Sequence, residues 1–534
     1  MYEWKTQKGA DNYRASLSIQ FPTEATFVYR AYGHMAETSL PCITTLAEHQ
    51  SELASDDVIV IGDQRSDRYL LAGALTAFRS SSIFRILRRG GCFTSIELEQ
   101  PDIKNGEIPE ELIVLEGNDW CELLFQYADA AAKKMGVKTF KESKNITGYC
   151  TWYYYYKDVK SQNLWDNVEA LAKKRELYSA EYIQIDDGYQ RYYGDWLELN
   201  DNWKLSLKEA AENIKSHGMK AGIWLMPFIA STASNLYKKH PDWFVQDNFT
   251  GKAVIREGWA SEPEKEWCCL DATIPEVNEY IANIFKTMWD MGYCYFKLDG
   301  LSFGLTRGKR HNPDMTAVES FRKLLSTIRE AVPSALLMAC SEPFMPCLGF
   351  FDHARVGYDT SRNFNSVIPN QNYPILSSCD ILNAQRETMS NFWKFDRWFR
   401  CDPDALMARQ DNANYTEGEA RFSVLTGILT GIAITSDNFN TIAPERMKIL
   451  GTAQKYRMRN VRPFLYRCGQ WFQFFKGTIN GKYAVAVFND SESEMLCDLS
   501  NLGLPGKTID LLTEKVVEKV YILPKHDAAL FTVI

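Results

Sequence analysis

The chain has 534 residues, 45% apolar and 24% charged, and its Trp, Tyr and Phe content gives an aromatic share of 13%; a chain of this size and composition buries a substantial core and is not disordered. Lys and Arg number 60 against 68 Asp and Glu, a net charge of −8, which excludes the basic surface that draws proteins to nucleic acid or acidic lipid. No apolar run of about 18 residues or more occurs, and the polar opening MYEWKTQKGADNYR lacks the apolar stretch of a secretory signal, so the expectation is a cytoplasmic protein with no membrane partner.

The 13 cysteines show no CxxC spacing and the 7 histidines no HExxH. They read as reduced thiols and ordinary polar residues, and neither a metal nor another cofactor is expected.

Residues 1–145 read as β-rich. Short apolar or alternating runs such as ATFVYRAY, VIVIGD and CFTSIELEQ are separated by Gly, Asp, Asn and Ser, the pattern of a β-sandwich. An amphipathic helix from Asp119 to Met135 leads out of this region. Over residues 146–460 buried-strand runs alternate with helical periodicity. The strands are ITGYCTW, YIQID, KAGIWLMP, YFKLD, ALLMAC, ARVG, RWFRC and GIAITS; the helices include LWDNVEALAKKREL, LKEAAENIKSHG, VNEYIANIFKTMWDMG and ESFRKLLSTIREAV. Eight strand–helix pairs spell an α/β fold of the (β/α)₈ TIM-barrel type. Residues 461–534, with FQFFKGT, KYAVAVFN, KTIDLL, VVEKVYIL and AALFTVI, read as a C-terminal antiparallel β-domain.

In such a barrel the active site forms where strands end and loops begin. Here those positions are rich in carboxylates and aromatic residues. Asp186 and Asp187 end the second strand, Trp224 lies in the third, Lys297 and Asp299 end the fourth, and Asp359 follows the sixth. Lys297 and Asp299 are two residues apart and point to one side of their strand; a cation beside a carboxylate keeps it ionised and ready to act as a nucleophile. Asp359 lies two βα units further round at roughly 30 residues per unit, the placement that lets two carboxyls flank one glycosidic bond. Taken singly, the Lys-x-Asp reads as an ion pair at the rim and GYDT as turn chemistry; the constellation points both toward catalysis. Adjacent carboxylates at a strand-to-loop corner suit vicinal sugar hydroxyls. The aromatic faces of WYYYY at 152–156, Tyr189, Trp196 and Trp224 suit the apolar face of a pyranose.

The motifs TGYCTWYYYY, YIQIDDGYQRYYGDW, GIWLMPFIASTASNLYKKHPDWF, YFKLDG, LMACSEP and RVGYDTS resemble, in order and spacing, the barrel motifs of glycoside hydrolase family 36 α-galactosidases of the compact bacterial type. The resemblance implies an N-terminal β-sandwich, the barrel and a C-terminal β-domain. It also implies Asp299 as nucleophile, Asp359 as general acid/base, Asp186 and Asp187 as acceptors for the galactose O4 and O6 hydroxyls, and Lys297, Trp152, Trp224, Arg355 and Cys340 as further sugar contacts. One departure is the run CSEPFMP after Cys340, where many members are glycine-rich beside the sugar's 2-position; N-acetylgalactosamine therefore stays open as the bound sugar.

The leading reading is a retaining exo-α-galactosidase that cleaves a small-molecule α-galactoside by double displacement. An α-N-acetylgalactosaminidase or a raffinose-synthase-like α-galactosyl transferase would share the catalytic carboxylates. A metal-dependent barrel enzyme, its carboxylates ligating Mg²⁺, is opposed by the lysine beside Asp299. A non-catalytic sugar-binding protein needs Asp186 and Asp187 but not Asp299 with Asp359. Tyr32, Gly33 and His34 of the first domain stand as candidates to close over the sugar, with a plain surface loop as an equal reading. Nothing in the sequence specifies an oligomeric state.

Overall fold

The computed structural model describes residues 2–7, 12–22, 26–31, 52–63, 65–104, 106–138, 145–258, 263–340, 343–365, 379–413, 415–466 and 471–534; Tyr32, Gly33 and His34 lie outside them. The eight buried runs form one parallel sheet from Ile146–Cys150, Tyr182–Ile185, Lys220–Leu225, Tyr293–Leu298, Leu336–Ala339, His353–Arg355, Arg400–Asp402 and Ile432–Thr435. The first seven pair each with the next, and the eighth returns to pair with the first. Beyond the seventh strand, Leu406 bridges Thr435 and its N–H donates to the Ile434 carbonyl at 2.7 Å. That contact closes the sheet into the expected barrel. Strands covered by helices on one side and by core on the other carry apolar residues continuously, which is why they were visible as runs.

Helices Ser161–Lys173, Leu207–Ser216, Pro275–Asp290 and Ala317–Ala331 fall on the amphipathic stretches. Ser206 with Glu209 and Thr316 with Glu319 form capping boxes that fix two of their starts. The helix Glu417–Thr430 is buried on almost every side because the C-terminal sheet packs on its outer face, so RFSVLTGILT shows no amphipathic period. Between the third strand and helix Pro275–Asp290 the chain inserts a small antiparallel sheet of Ile229–Ser231, Ile255–Glu257 and Glu266–Cys269. The sequence reading did not separate this insertion, since strands of three or four residues are too short to show a period.

Ahead of the barrel, a five-stranded antiparallel sheet (Trp4–Thr6, Asn12–Pro22, Glu52–Asp56, Ile83–Arg89, Cys92–Lys104) packs with a four-stranded one (Thr26–Arg30, Val58–Asp63, Arg68–Ala74, Leu112–Gly117), the expected β-sandwich. After the barrel comes a six-stranded antiparallel sheet beginning at Arg459–Pro463 and closing on Asp527–Val533, with a separate hairpin of Met495–Asp498 and Val520–Leu523. One apolar core runs from the sandwich into the barrel. Among the described residues no helix is long and apolar enough to cross a membrane.

The helix Trp120–Lys134 joins the three layers. Trp120 contacts Phe27 and Tyr29 of the sandwich, Phe392 of the barrel, and Tyr466 and Phe472 beyond it. Its N-cap, Asp119, accepts from the N–H groups of Cys121 and Glu122 and pairs with Arg462 of the C-terminal sheet at 2.8 Å. Burial alone would raise the Asp119 pKa; the Arg462 hydrogen bond and charge outweigh it and hold the group below its usual value. Asp119→Ala is expected to destabilise the fold by about 1 to 2 kcal/mol, with Asp119→Asn losing less because it keeps the cap. A carboxyl whose folded pKa is depressed contributes above its unfolded value, near pH 3.9, and loses that contribution below it. The melting-temperature gap between wild type and Asp119→Asn is therefore expected to be full at pH 7 and to close as pH falls below about 4.

Candidate active site

The first strand hands over to the turn Trp152–Tyr155. Thr151 accepts the Asp186 backbone N–H at 2.9 Å and the Cys150 thiol donates to Asp186 at 3.4 Å. The four tyrosines then separate. Tyr153 turns inward and donates to Asp404, Tyr154 donates to Asp411 at 2.7 Å, Tyr155 accepts from Asn167, and Trp152 packs edge-on against Tyr156. Trp152 also lies against the barrel-core cluster that includes Cys150 and Cys340.

At the second strand Asp186 and Asp187 are each only 2% exposed. Asp186 accepts from Gln184, from Lys297 at 3.0 Å and from the Asp187 N–H at 2.9 Å. Asp187 accepts from Gln190 and from the Tyr193 hydroxyl, both at 2.7 Å. Burial pushes its pKa up to about 6, against the Lys157 charge and the Gln190 and Tyr193 hydrogen bonds.

The sequence reading set Lys297 beside Asp299 as its charge partner, but the structure pairs Lys297 with Asp186. Two residues along a strand span roughly 6.6 Å, so the lysine starts deeper in the barrel than Asp299 and crosses the interior to the second strand. Burial works against its charge, and Asp186 reverses this, so that its pKa stands well above the ordinary value. Asp299 instead accepts from the Trp224 indole N–H at 3.1 Å and from the Gly300 N–H at 2.6 Å. Gly300 adopts φ +58°, a left-handed conformation that glycine takes without strain, at the bend that presents Asp299.

Cys340, at the end of the fifth strand, is fully buried, and burial pushes its thiol well above the ordinary range; the charges of Arg355, Asp299, Lys297 and Asp359 all reach it. Arg355 ends the sixth strand and pairs with Asp359, four residues on in the following loop, and with Asp404 at 3.5 Å. The structure thus brings all nine sequence-predicted residues to one end of the barrel. Of the run CSEPFMP on which the 2-substituent question turns, positions 341–342 lie outside the described residues, and Phe344, Met345 and Pro346 are buried in the short helix Phe344–Cys347.

Other residues of the cluster were missed. Asp402 ends the seventh strand and Asp404 follows it, much as Asp186 and Asp187 follow the second, a parallel that RCDPD displays in the sequence. Asp404 takes the Thr360 N–H at 2.9 Å, which anchors the loop carrying Asp359. Burial first, then Asp404, pushes Asp402 up to about 6; burial also raises Asp404, which Arg355 opposes. Gln190 and Tyr193 lie within the motif YIQIDDGYQRYYGDW, which marks them without giving them a role, and Lys157 lies outside the motifs. Asp186, Asp187, Asp402, Asp404 and Asp437 are buried, whereas Asp299 and Asp359 are partly exposed. A carboxylate that must meet a substrate needs that exposure; one that fixes others does not.

Removing one member of a buried ion pair leaves its partner charged and unpaired, at a cost of about 3 to 5 kcal/mol. Lys297→Met is expected to lower stability by that amount in chemical denaturation, and by clearly less on an Asp186→Asn background, where no charge is stranded.

The melibiase family profile matches residues 107–329. The α-galactosidase of Escherichia coli is 25% identical over 187 residues, a stretch covering 33% of this chain and 25% of that protein; the match thus spans a quarter of that relative's length. TtGalA, an α-galactosidase of Thermus thermophilus solved with p-nitrophenyl α-D-galactopyranoside, superposes with a TM-score of 0.70 at 22% identity, over 90% of this chain and 98% of that one. The family 36 α-galactosidase AgaA of Geobacillus stearothermophilus superposes with a TM-score of 0.64 at 13% identity, over 98% of this chain and 77% of that one. Residues 107–329 are thus similar to the melibiase family, and the chain is similar in fold to the glycoside hydrolase family 36 α-galactosidases.

Proposed function

We propose that the chain is a retaining exo-α-galactosidase acting on small-molecule α-galactosides in the cytoplasm, with its barrel at 146–460 between a sandwich at 1–145 and a β-domain at 461–534. The observation that carries the reading is the division of carboxylates at the barrel mouth: Asp299 and Asp359 are partly exposed, while the carboxylates around them are buried and engaged. The names of the relatives, and the galactoside bound to TtGalA, support the same substrate class.

In this reading Asp299 attacks the anomeric carbon. Its two oxygens are already held by the Trp224 indole and the Gly300 N–H, so little reorientation remains to be done in the transition state. Asp359 delivers its proton to the departing glycosidic oxygen as the C–O bond breaks and a galactosyl ester forms on Asp299. In the second half Asp359 takes a proton from water, the water oxygen bonds to the anomeric carbon, and Asp299 leaves as a carboxylate. Arg355 beside Asp359 balances the charge that residue carries between the two halves. Asp186 and Asp187 accept hydrogen bonds from O4 and O6. Lys297 holds Asp186 in place through its hydrogen bond at 3.0 Å, and Trp152, Trp224, Arg355 and Cys340 shape the rest of the sugar pocket.

The first test compares p-nitrophenyl α-galactoside with the matched α-glucoside and follows the first product by proton NMR. Leaving a buried acceptor unpaired costs about 1 to 3 kcal/mol, so kcat/KM is expected to favour the galactoside by roughly 10-fold or more, with α-galactose appearing before mutarotation. Equal rates on the two sugars, or β-galactose first, would overturn the reading.

The two carboxylates are expected to differ. Asp299→Ala should be inactive on every substrate, with azide restoring turnover at inverted configuration. Asp359→Ala should lose far more on poor leaving groups than on nitrophenyl galactosides, with azide accelerating its second step at retained configuration. Two variants equally dead on activated substrates and unrescued by azide would remove both assignments.

A further inference from the structure

Lys157 lies outside the strand-end motifs. It sits in the turn Tyr156–Asp158 after the first strand, its side chain about one-third exposed, with its ammonium 3.8 Å from an oxygen of Asp187, 3.5 Å from Glu264 and 4.6 Å over the ring of Tyr193. Glu264 accepts the Tyr193 backbone N–H at 3.0 Å, and the Tyr193 hydroxyl donates to Asp187 at 2.7 Å. The contacts close a ring, Lys157–Asp187–Tyr193–Glu264, built from three segments: the first loop, the second loop and the approach to the last strand of the inserted sheet. Gly188, at φ +115°, brings the second loop against the first; a Cβ there would meet the Lys157 backbone at 3.1 Å.

We infer that Lys157 is a positioning residue that holds the Asp187 carboxylate charged and fixed in the site, so that it presents an acceptor to a sugar hydroxyl. The role toward sugar rests on the function proposed above; the hold on Asp187 does not. Geometry gives Lys157 this role because it is the cation against Asp187 across the ring, while Gln190 and Tyr193 contribute neutral donors. The other charged and titratable groups facing this corner are Asp186 beside Asp187, Tyr189 in the same loop, Lys297 on Asp186, and Glu264 and Asp299 around Tyr193. Burial favours the protonated form of Asp187, and Lys157 is the strongest influence opposing it.

The sign of the consequence follows. A carboxyl whose folded pKa is raised makes its ionised form a cost to the fold that grows with pH above the unfolded value, and a neighbouring cation reduces that cost only where the carboxyl is ionised. With Asp187 titrating near 6, Lys157 contributes little through it at pH 5 and most at pH 8.

Melting temperatures of wild type, Lys157→Gln, Asp187→Asn and the double variant between pH 5 and 8 test this without reference to activity. The gap between wild type and Lys157→Gln is expected to widen as pH rises through about 6, and the widening to vanish on the Asp187→Asn background. In turnover of p-nitrophenyl α-galactoside, the acidic limb of kcat/KM in Lys157→Gln is expected to move up by about one pH unit, mainly through KM, with recovery to within about twofold of wild type at high pH and a wild-type profile in Lys157→Arg. A pH-independent gap, or one that persists without Asp187, makes Lys157 a packing residue and overturns the inference. If the melting series behaves as expected but the wild type does not prefer galactosides, the hold on Asp187 stands and the sugar assignment falls.

Discussion

The ammonium of Lys297, buried in the throat of the barrel and bonded to Asp186, is the constraint from which the chemistry of this end of the molecule follows. Moving one charge into such a place costs several kcal/mol, and a buried pair only recovers this when its remaining donors and acceptors are also met. The surroundings of Asp186 meet them: Gln184 from the same strand, the Cys150 thiol from the first strand, and the Asp187 N–H. A well-packed apolar pair would serve the fold equally well or better. The pair is thus not explained by the stability of the fold alone.

The same logic repeats around the mouth. Arg355 divides its charge between Asp359 and Asp404. Tyr153 and the Thr360 N–H complete Asp404, so the loop bearing Asp359 is tied to the seventh strand through one guanidinium and one carboxylate. Arg409 and Asp437 form a further pair, both fully buried, beside the eighth strand, and Arg409 reaches the Tyr153 carbonyl at 3.0 Å. Burial pushes Asp437 up to about 6 despite that arginine. Each buried carboxylate named here fixes another group, and each depends on a cation or a set of donors from a different strand. Displacing one would be felt around the ring, because charges at low dielectric are coupled over longer distances than charges in water.

The sequence carried the barrel because parallel strands buried on both faces must be continuously apolar and amphipathic helices must alternate with them; GIAITS and KAGIWLMP could be little else. It carried the candidate catalytic and sugar-binding residues because a (β/α)₈ fold delivers strand ends to one place, so that position in the chain stands in for position in space. It did not carry the partners. Lys297 and Asp299 share a strand face, yet which carboxylate the lysine meets is decided by depth in the barrel and by the second strand across it, a relation between residues more than a hundred positions apart. Asp402 and Asp404 were legible in principle, since RCDPD places carboxylates after a strand as YIQIDD does. Lys157 was not, for nothing local marks a lysine in a turn as the neighbour of a distant glutamate.

The residues that the motifs supply are held by strand ends, whose geometry the barrel fixes and whose substitution would strand a buried charge. Lys157 and Glu264, which lie outside the motifs, sit on a loop and beside an inserted sheet, where the backbone can change without breaking a strand ladder. Under the proposed roles, the strand ends set which bond is broken, and the loops set how firmly, and over what range of pH, the carboxylate beside them can hold a hydroxyl. Asp187 is where the two layers meet: it belongs to the second strand's motif by sequence, but the burial that raises its pKa is opposed first by Lys157 from the neighbouring loop. A carboxyl poised near 6 by opposing burial and cation responds strongly to small changes in either, so loop substitutions around Lys157 offer a route to altered pH dependence that leaves Asp299 and Asp359 untouched.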